Sequence, residues 1–222
     1  MTTDEILQGL FDNTLIGNAP AVKDLTNEGL AMGMNPETLL YDALIPSLEE
    51  VGARFERGDF FVPEMLIAAR AMQGALDILR PLLAETGAKP IGTVVIGTVK
   101  GDVHDIGKNL VNIMLEGAGF TVHDLGVNVA PEKFVEQVQE HEPDIVGFSA
   151  FLTTTMPMFK ANINALEKAG LRDKVIVMVG GAPVTQEYAD AVGADGYAAD
   201  ASTAVRLAKQ LIEQHRQEPA AV

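Results

Sequence analysis

Asp102 and His104 stand two residues apart in the run Lys100-Gly101-Asp102-Val103-His104-Asp105-Ile106-Gly107-Lys108-Asn109. In an extended stretch that spacing sends both side chains to the same side. A carboxylate beside an imidazole can hold its Nδ1–H, leaving Nε2 to bind a metal or take a proton. Gly107, at the entry to the next helical pattern, lets something pass close to the backbone. A second polar run, Ser149-Ala150-Phe151-Leu152-Thr153-Thr154-Thr155, follows a later apolar segment, and Gly180-Gly181 follows another.

The chemistry open to these residues is narrow. One histidine cannot build a zinc site alone, and without cysteine its co-ligands would have to be His or carboxylate. His123, His141 and His215 lie elsewhere along the chain. A lone His ligand suits a metal that arrives already caged in a macrocycle. An isolated Asp-x-His can also be a hydrogen-bonded surface turn, and Gly180-Gly181 an ordinary strand-end turn. Neither Gly-x-Gly-x-x-Gly nor a P-loop is present, and Gly101 to Gly107 is the wrong spacing for a phosphate cradle of either kind. A receiver domain would want an acidic pair after the first strand and an Asp after the third, which instead ends in Ser and Thr.

The elements that must position these loops change character near residue 90. Residues 5–86 read as helix throughout. Ile6, Leu7, Leu10 and Phe11 recur at helical spacing, as do Leu39, Leu40, Ala43, Leu44, Leu48, Val51 and Phe55. Breaks fall at 17–20, 33–36 and 57–59, and a fourth pattern runs from about Pro63 to Leu83. Four helices with short connectors predict an antiparallel bundle. Residues 84–91 read as a linker. Beyond it, apolar runs at 93–98, 121–125, 145–148, 175–179 and 196–199 alternate with helical patterns around 106–117, 131–140, 155–168, 185–191 and 201–214. That rhythm predicts an α/β domain, a flavodoxin- or Rossmann-like five-stranded parallel sheet covered on both faces. The expected domains are 1–88 and 89–222. In such a sheet ligands bind beyond the carboxyl ends of the strands, where strand order reverses, so the loops after strands one and three should meet there.

Composition restricts the partners. The 222 residues carry 16 Lys plus Arg against 31 Asp plus Glu, a formal charge of −15, which argues against nucleic acid and against an anionic membrane surface. The absence of cysteine excludes disulfide scaffolds, zinc ribbons, Fe–S clusters and thiol nucleophiles. Met1-Thr2-Thr3-Asp4-Glu5 does not read as a signal peptide, and no apolar stretch approaches the roughly 18–20 residues that span a bilayer. The expectation is a cytoplasmic protein.

Asp102-Val103-His104-Asp105-Ile106-Gly107, Ser149-Ala150-Phe151-Leu152 and Gly180-Gly181 resemble, in order, the Asp-x-His-x-x-Gly, Ser-x-Leu and Gly-Gly signature of cobalamin-binding Rossmann domains. The stretch from Val51-Gly52 through Phe60-Phe61-Val62-Pro63-Glu64 to Ala68-Ala69-Arg70-Ala71-Met72 is similar to the helical cap of cobalamin-dependent methionine synthase. The whole chain thus resembles the small corrinoid proteins of methyltransferase systems. One departure is Phe151, where Leu is commoner.

The resemblance implies cobalamin as cofactor, cycling between methylcobalamin and cob(I)alamin, bound base-off with His104 as the axial cobalt ligand. Asp102 and Thr155 would complete a ligand triad, with Gly101, Val103, Asp105 and Ile106 around it. The nucleotide tail would pass Gly107, Ser149, Leu152 and Thr153 to reach Gly180-Gly181, with Ala201 also lining it and Leu125-Gly126 bordering it. Phe61, with Met65 beside it, would cover the upper cobalt face.

By the same likeness the protein would be a methyl carrier in one-carbon metabolism, not catalytic alone. It would shuttle between a substrate-specific methyltransferase, an acceptor methyltransferase using tetrahydrofolate or a thiol, and a reductive activase, with residues 84–90 as the hinge of the cap. Methanol, methylamines, betaines and methoxylated aromatics stand open as donors. A cobalamin-dependent sensor and the small subunit of an adenosylcobalamin isomerase are the alternative members of the same domain class.

Overall fold

Thr2 opens the chain with a capping box: its hydroxyl accepts from Glu5 N at 3.2 Å, and the Glu5 carboxylate accepts from Thr2 N at 2.7 Å. The helix it starts, α1 (Thr3–Leu15), is followed by α2 (Ala19–Ala31), α3 (Pro36–Leu39), α4 (Ile45–Glu56) and α5 (Val62–Thr86). Asn18 and Asn35 cap α2 and α3, each with proline in the first turn. A π-turn at Leu40–Leu44 joins α3 to α4, so that 36–56 runs as one bulged helix. In this computed structural model, which describes residues 1–86 and 90–217, α1 packs on α2 and α4, and α5 packs on the same two. Ile6, Leu10, Val22, Leu39, Leu44, Leu48 and Val51 are buried, as their spacing requires.

The linker expected from residue 84 is corrected in part: α5 continues to Thr86. Ala84 and Glu85 are strong helix formers, and the first glycine comes only at Gly87. Residues 87–89 of that linker lie outside the described residues. Among the described residues no helix is long and apolar enough to cross a membrane.

The chain divides into two compact units, Met1–Lys89 with Gly117–Gly119, and Pro90–Glu116 with Phe120–Val222. In the second, β1 (Thr93–Thr98), β2 (Thr121–Asp124), β3 (Ile145–Ser149), β4 (Ile176–Gly180) and β5 (Gly196–Ala198) form one parallel sheet in the order β2-β1-β3-β4-β5. The crossovers are α6 (Ile106–Gly117), α7 (Pro131–His141), α8 (Pro157–Lys168) and α9 (Gln186–Val192), and α10 (Ala201–Gln217) closes the unit. Val95, Val146 and Val177 share one rank and one face with Phe148 and Val179. That face meets Phe134 and Val138 of α7, Phe159, Ile163 and Leu166 of α8, and Ala189 and Val192 of α9. Alternation turns the next rank to the opposite side. Thr98, Ser149, Gly180 and Ala198 stand side by side in register there, a row of small residues across four strand ends.

Candidate functional site

Because β1 and β3 are neighbours and run parallel, their exit loops leave from the same edge, at the point where strand order reverses. Asp102 in the first loop is fully buried, and its carboxylate ties the two loops together. Oδ1 accepts from His104 N at 3.1 Å and from His104 Nδ1 at 2.7 Å. Oδ2 accepts from the backbone N–H groups of Phe151 (2.8 Å) and Leu152 (3.0 Å) and from Thr155 Oγ1 (2.7 Å). The single Thr155 hydroxyl proton is shared with the Leu152 carbonyl, 2.8 Å away.

Burial alone would push the Asp102 carboxyl up. The Thr155 hydroxyl, the His104 ring and the backbone N–H groups of Leu152 and His104 outweigh it and hold Asp102 well below the usual carboxylate range. An ionised carboxylate only accepts, so the proton of this hydrogen bond resides on Nδ1. In the tautomer this hydrogen bond selects, the lone pair lies on Nε2. The His104 side chain is 44% exposed, so the ring is half open rather than part of the core.

Around His104 the rim is apolar and unusually open. Val103, Ile106 and Leu152 are exposed, and the Phe151 ring stacks on the imidazole with centroids 4.5 Å apart and planes 27° apart. Nothing lies within 4 Å of the position a Gly107 side chain would take. Gly181 shows the reverse: at φ 130° an added Cβ would sit 1.9 Å from the Ala150 carbonyl oxygen, so only glycine passes that loop.

The structure brings Gly101, Asp102, Val103, His104, Leu152 and Thr155 into these two adjoining loops. Asp105, Ile106 and Gly107 follow at the start of α6, and Thr153 is exposed beside Leu152. Ser149 and Gly180 share the rank of small residues, half-buried, with Gly181 just beyond it. Ala201 is buried at the first turn of α10. Leu125 packs against the large core on the other face, while the Gly126 carbonyl accepts from Thr98 N at 2.9 Å. Phe61 and Met65 belong to the helical unit, the first exposed and the second buried.

Two contributors carry no motif. Asn128, at φ 55°, accepts from Gly101 N at 2.7 Å through Oδ1, and its own N–H reaches the Asp102 carbonyl at 2.9 Å. Its tolerance of positive φ is the signal that could have marked it. Lys108 Nζ is buried between the two Asp124 oxygens, each at 2.6 Å, and Asn109 Oδ1 at 2.8 Å. Among the described residues no three His, Cys, Asp or Glu side chains gather as a metal cluster.

Fold and site together define a doubly wound domain presenting one carboxylate-held histidine at its switch point, a cofactor-binding protein. Family models described as the B12 binding domain match residues 92–206 and 6–80. The dimethylamine corrinoid protein of Methanosarcina barkeri is 44% identical over 214 residues, 96% of this chain and 100% of its own length. Trimethylamine corrinoid protein 2 of Methanosarcina acetivorans is 41% identical over 95% of this chain and 98% of its own. The crystal structure of the methanol:cobalamin methyltransferase complex from Methanosarcina barkeri superposes with a TM-score of 0.83 at 30% identity, covering 96% of this chain and 81% of that one. A cobalamin-binding protein from Desulfitobacterium hafniense gives 0.76 at 30% identity, covering 92% and 97%. The chain belongs to the corrinoid proteins built on the B12 binding domain, and its cofactor is cobalamin.

Proposed function

We propose that this protein carries methyl groups from a methylamine on a cobalamin bound base-off, with His104 as the lower axial ligand. The 2.7 Å Asp102–His104 hydrogen bond, with the ring half open to solvent, carries the reading. Cobalamin supplies a cobalt centre that takes up a methyl group and hands it on. The donor set fits it: one oriented imidazole is the ligand a macrocycle-held metal lacks, and the open apolar rim of Val103, Ile106 and Leu152 suits a large flat ring.

In this reading Asp102 fixes the tautomer of His104 and aims Nε2 outward, and Thr155 keeps Asp102 ionised and in place. Were Nε2 to hold a proton instead of a ligand, Asp102 would stay paired with the ring through Nδ1. The row Thr98, Ser149, Gly180 and Ala198 presents little side-chain bulk at the strand ends, where the nucleotide tail would enter past Gly107.

The methylamine assignment follows the dimethylamine and trimethylamine corrinoid relatives. A substrate-specific methyltransferase, an acceptor methyltransferase and a reductive activase are the partners this role needs. The test is reconstitution with hydroxocobalamin. The wild-type protein should retain the cofactor after desalting with a base-off/His-on spectrum, and His104→Ala should shift that spectrum or lose the cofactor. An unchanged spectrum with full retention in the variant refutes the ligand assignment. Assays of mono-, di- and trimethylamine with candidate partner enzymes decide the donor.

A further inference from the structure

We infer that Phe151 is the positioning residue that sets the plane of the His104 ring, and with it the direction of the Nε2 lone pair. The inference rests on His104 being the lower ligand. A hydrogen bond through Nδ1 holds one edge of the imidazole, but coupled rotation about Cα–Cβ and Cβ–Cγ can still turn the ring plane with that bond kept. The lone pair on Nε2 lies in the ring plane, so that turn sweeps its direction. Burial does not stop it, because the His104 side chain is 44% exposed. A flat contact on the ring face does, and the Phe151 ring supplies one at 4.5 Å and 27°, within the range of offset-stacked aromatic pairs.

Phe151 is itself anchored through the same carboxylate. Its backbone N–H donates to Asp102 Oδ2 at 2.8 Å, while Oδ1 receives His104 Nδ1 at 2.7 Å. One buried group thus anchors both residues, Phe151 by its backbone and His104 by its ring, and the stack sets the mutual orientation of the two rings. Phe151 is 52% exposed, so its ring is not held there as core. An imidazole oriented before the cofactor arrives loses less freedom on binding.

The test loads 15N-histidine-labelled protein with cobalamin, reduces the cobalt to the divalent state and reads the nitrogen splitting by electron paramagnetic resonance. A doublet reports histidine on the metal. Phe151→Leu should lower the ratio of His-on to His-off protein by roughly three- to tenfold. Phe151→Met, equally apolar and ringless, should follow it, and Phe151→Tyr should stay within about twofold of wild type. In cofactor-free protein the His104 ring protons should shift upfield in wild type and Phe151→Tyr and lose that shift in the other two, while unchanged dispersed methyl signals of the sheet core establish that all the variants fold. A wild-type doublet that persists undiminished in Phe151→Leu and Phe151→Met overturns the role of Phe151 alone. No doublet in the wild-type protein overturns the ligand assignment and this inference with it.

Discussion

The Thr155 hydroxyl donates to Asp102 Oδ2 across 2.7 Å, joining two loops that lie 53 residues apart in the chain. The bond is buried, and its acceptor is an ionised carboxylate that also receives three backbone N–H groups and the His104 ring. Orientation of the candidate ligand therefore depends on a residue that never touches it.

Thr155→Val keeps the shape and removes the donor. Hydrogen bonds to charged groups contribute about 1.5–3 kcal/mol, so urea unfolding should show a stability loss of that order, while Thr155→Ser should retain most of it. The pH dependence should change as well. Asp102 has a folded value below its unfolded value of about 3.9. Its contribution is present above that unfolded value and is lost as pH falls through the folded one. Thr155→Val moves the folded value up, leaving a shallower acid limb in a urea-by-pH series.

Gly181→Ala tests the close approach of the loops after β3 and β4. The added methyl meets the Ala150 carbonyl at 1.9 Å in a backbone conformation at φ 130°. The strained backbone alone costs about 1–3 kcal/mol, and the contact forces the loops apart. A lowered melting temperature together with weakened cobalamin retention is expected. A variant that matches wild type in both would show that the loop relaxes freely.

Lys108 and Asp124 should respond unequally to substitution. The Lys108 side chain is 1% exposed and that of Asp124 37%. Asp124→Leu strands a buried ammonium and should cost about 3–5 kcal/mol. Lys108→Met leaves a carboxylate that water can reach, and should cost less than its partner variant. Equilibrium unfolding of the two variants gives the order directly.

His123 and His141 stack at 3.7 Å with planes 13° apart. Burial and the neighbouring His141 lower the His123 value, with Glu140 opposing them. A histidine whose folded value is depressed binds fewer protons folded than unfolded. Its contribution is present above the unfolded value of about 6.5 and is lost as pH falls below it toward the folded value. His141→Gln removes one of the two depressing influences, so the fall in melting temperature between neutral pH and about pH 5 should be smaller in the variant than in wild type.

Much of the architecture was legible because its determinants are local. Apolar spacing located the strands and the crossover helices to within a residue or two. Gly17, Gly33 and Gly58 marked the breaks between the first four helical segments. Spacing alone does not place the end of α5, because no proline or glycine punctuates Ala84 to Thr86 and a run of ordinary helix formers says little about where a helix stops. The site was legible in the same local sense: Asp102 and His104 lie two apart in one loop, and their hydrogen bond needs only that spacing.

What the chain order alone determined was the set of elements, their alternation, and which loops would leave the carboxyl ends of β1 and β3. The tertiary structure decided the rest. Pairing of β1 with β3 sets Thr98 beside Ser149, and pairing of β3 with β4 sets Ser149 beside Gly180. That register brings Phe151 and Thr155 to Asp102 and lays an aromatic ring on His104. Those meetings depend on strand order and on where each loop turns, distances across the fold that no periodicity along the chain encodes. A residue's neighbours within four positions can be read from spacing, but a partner some fifty positions away is chosen only when the sheet closes.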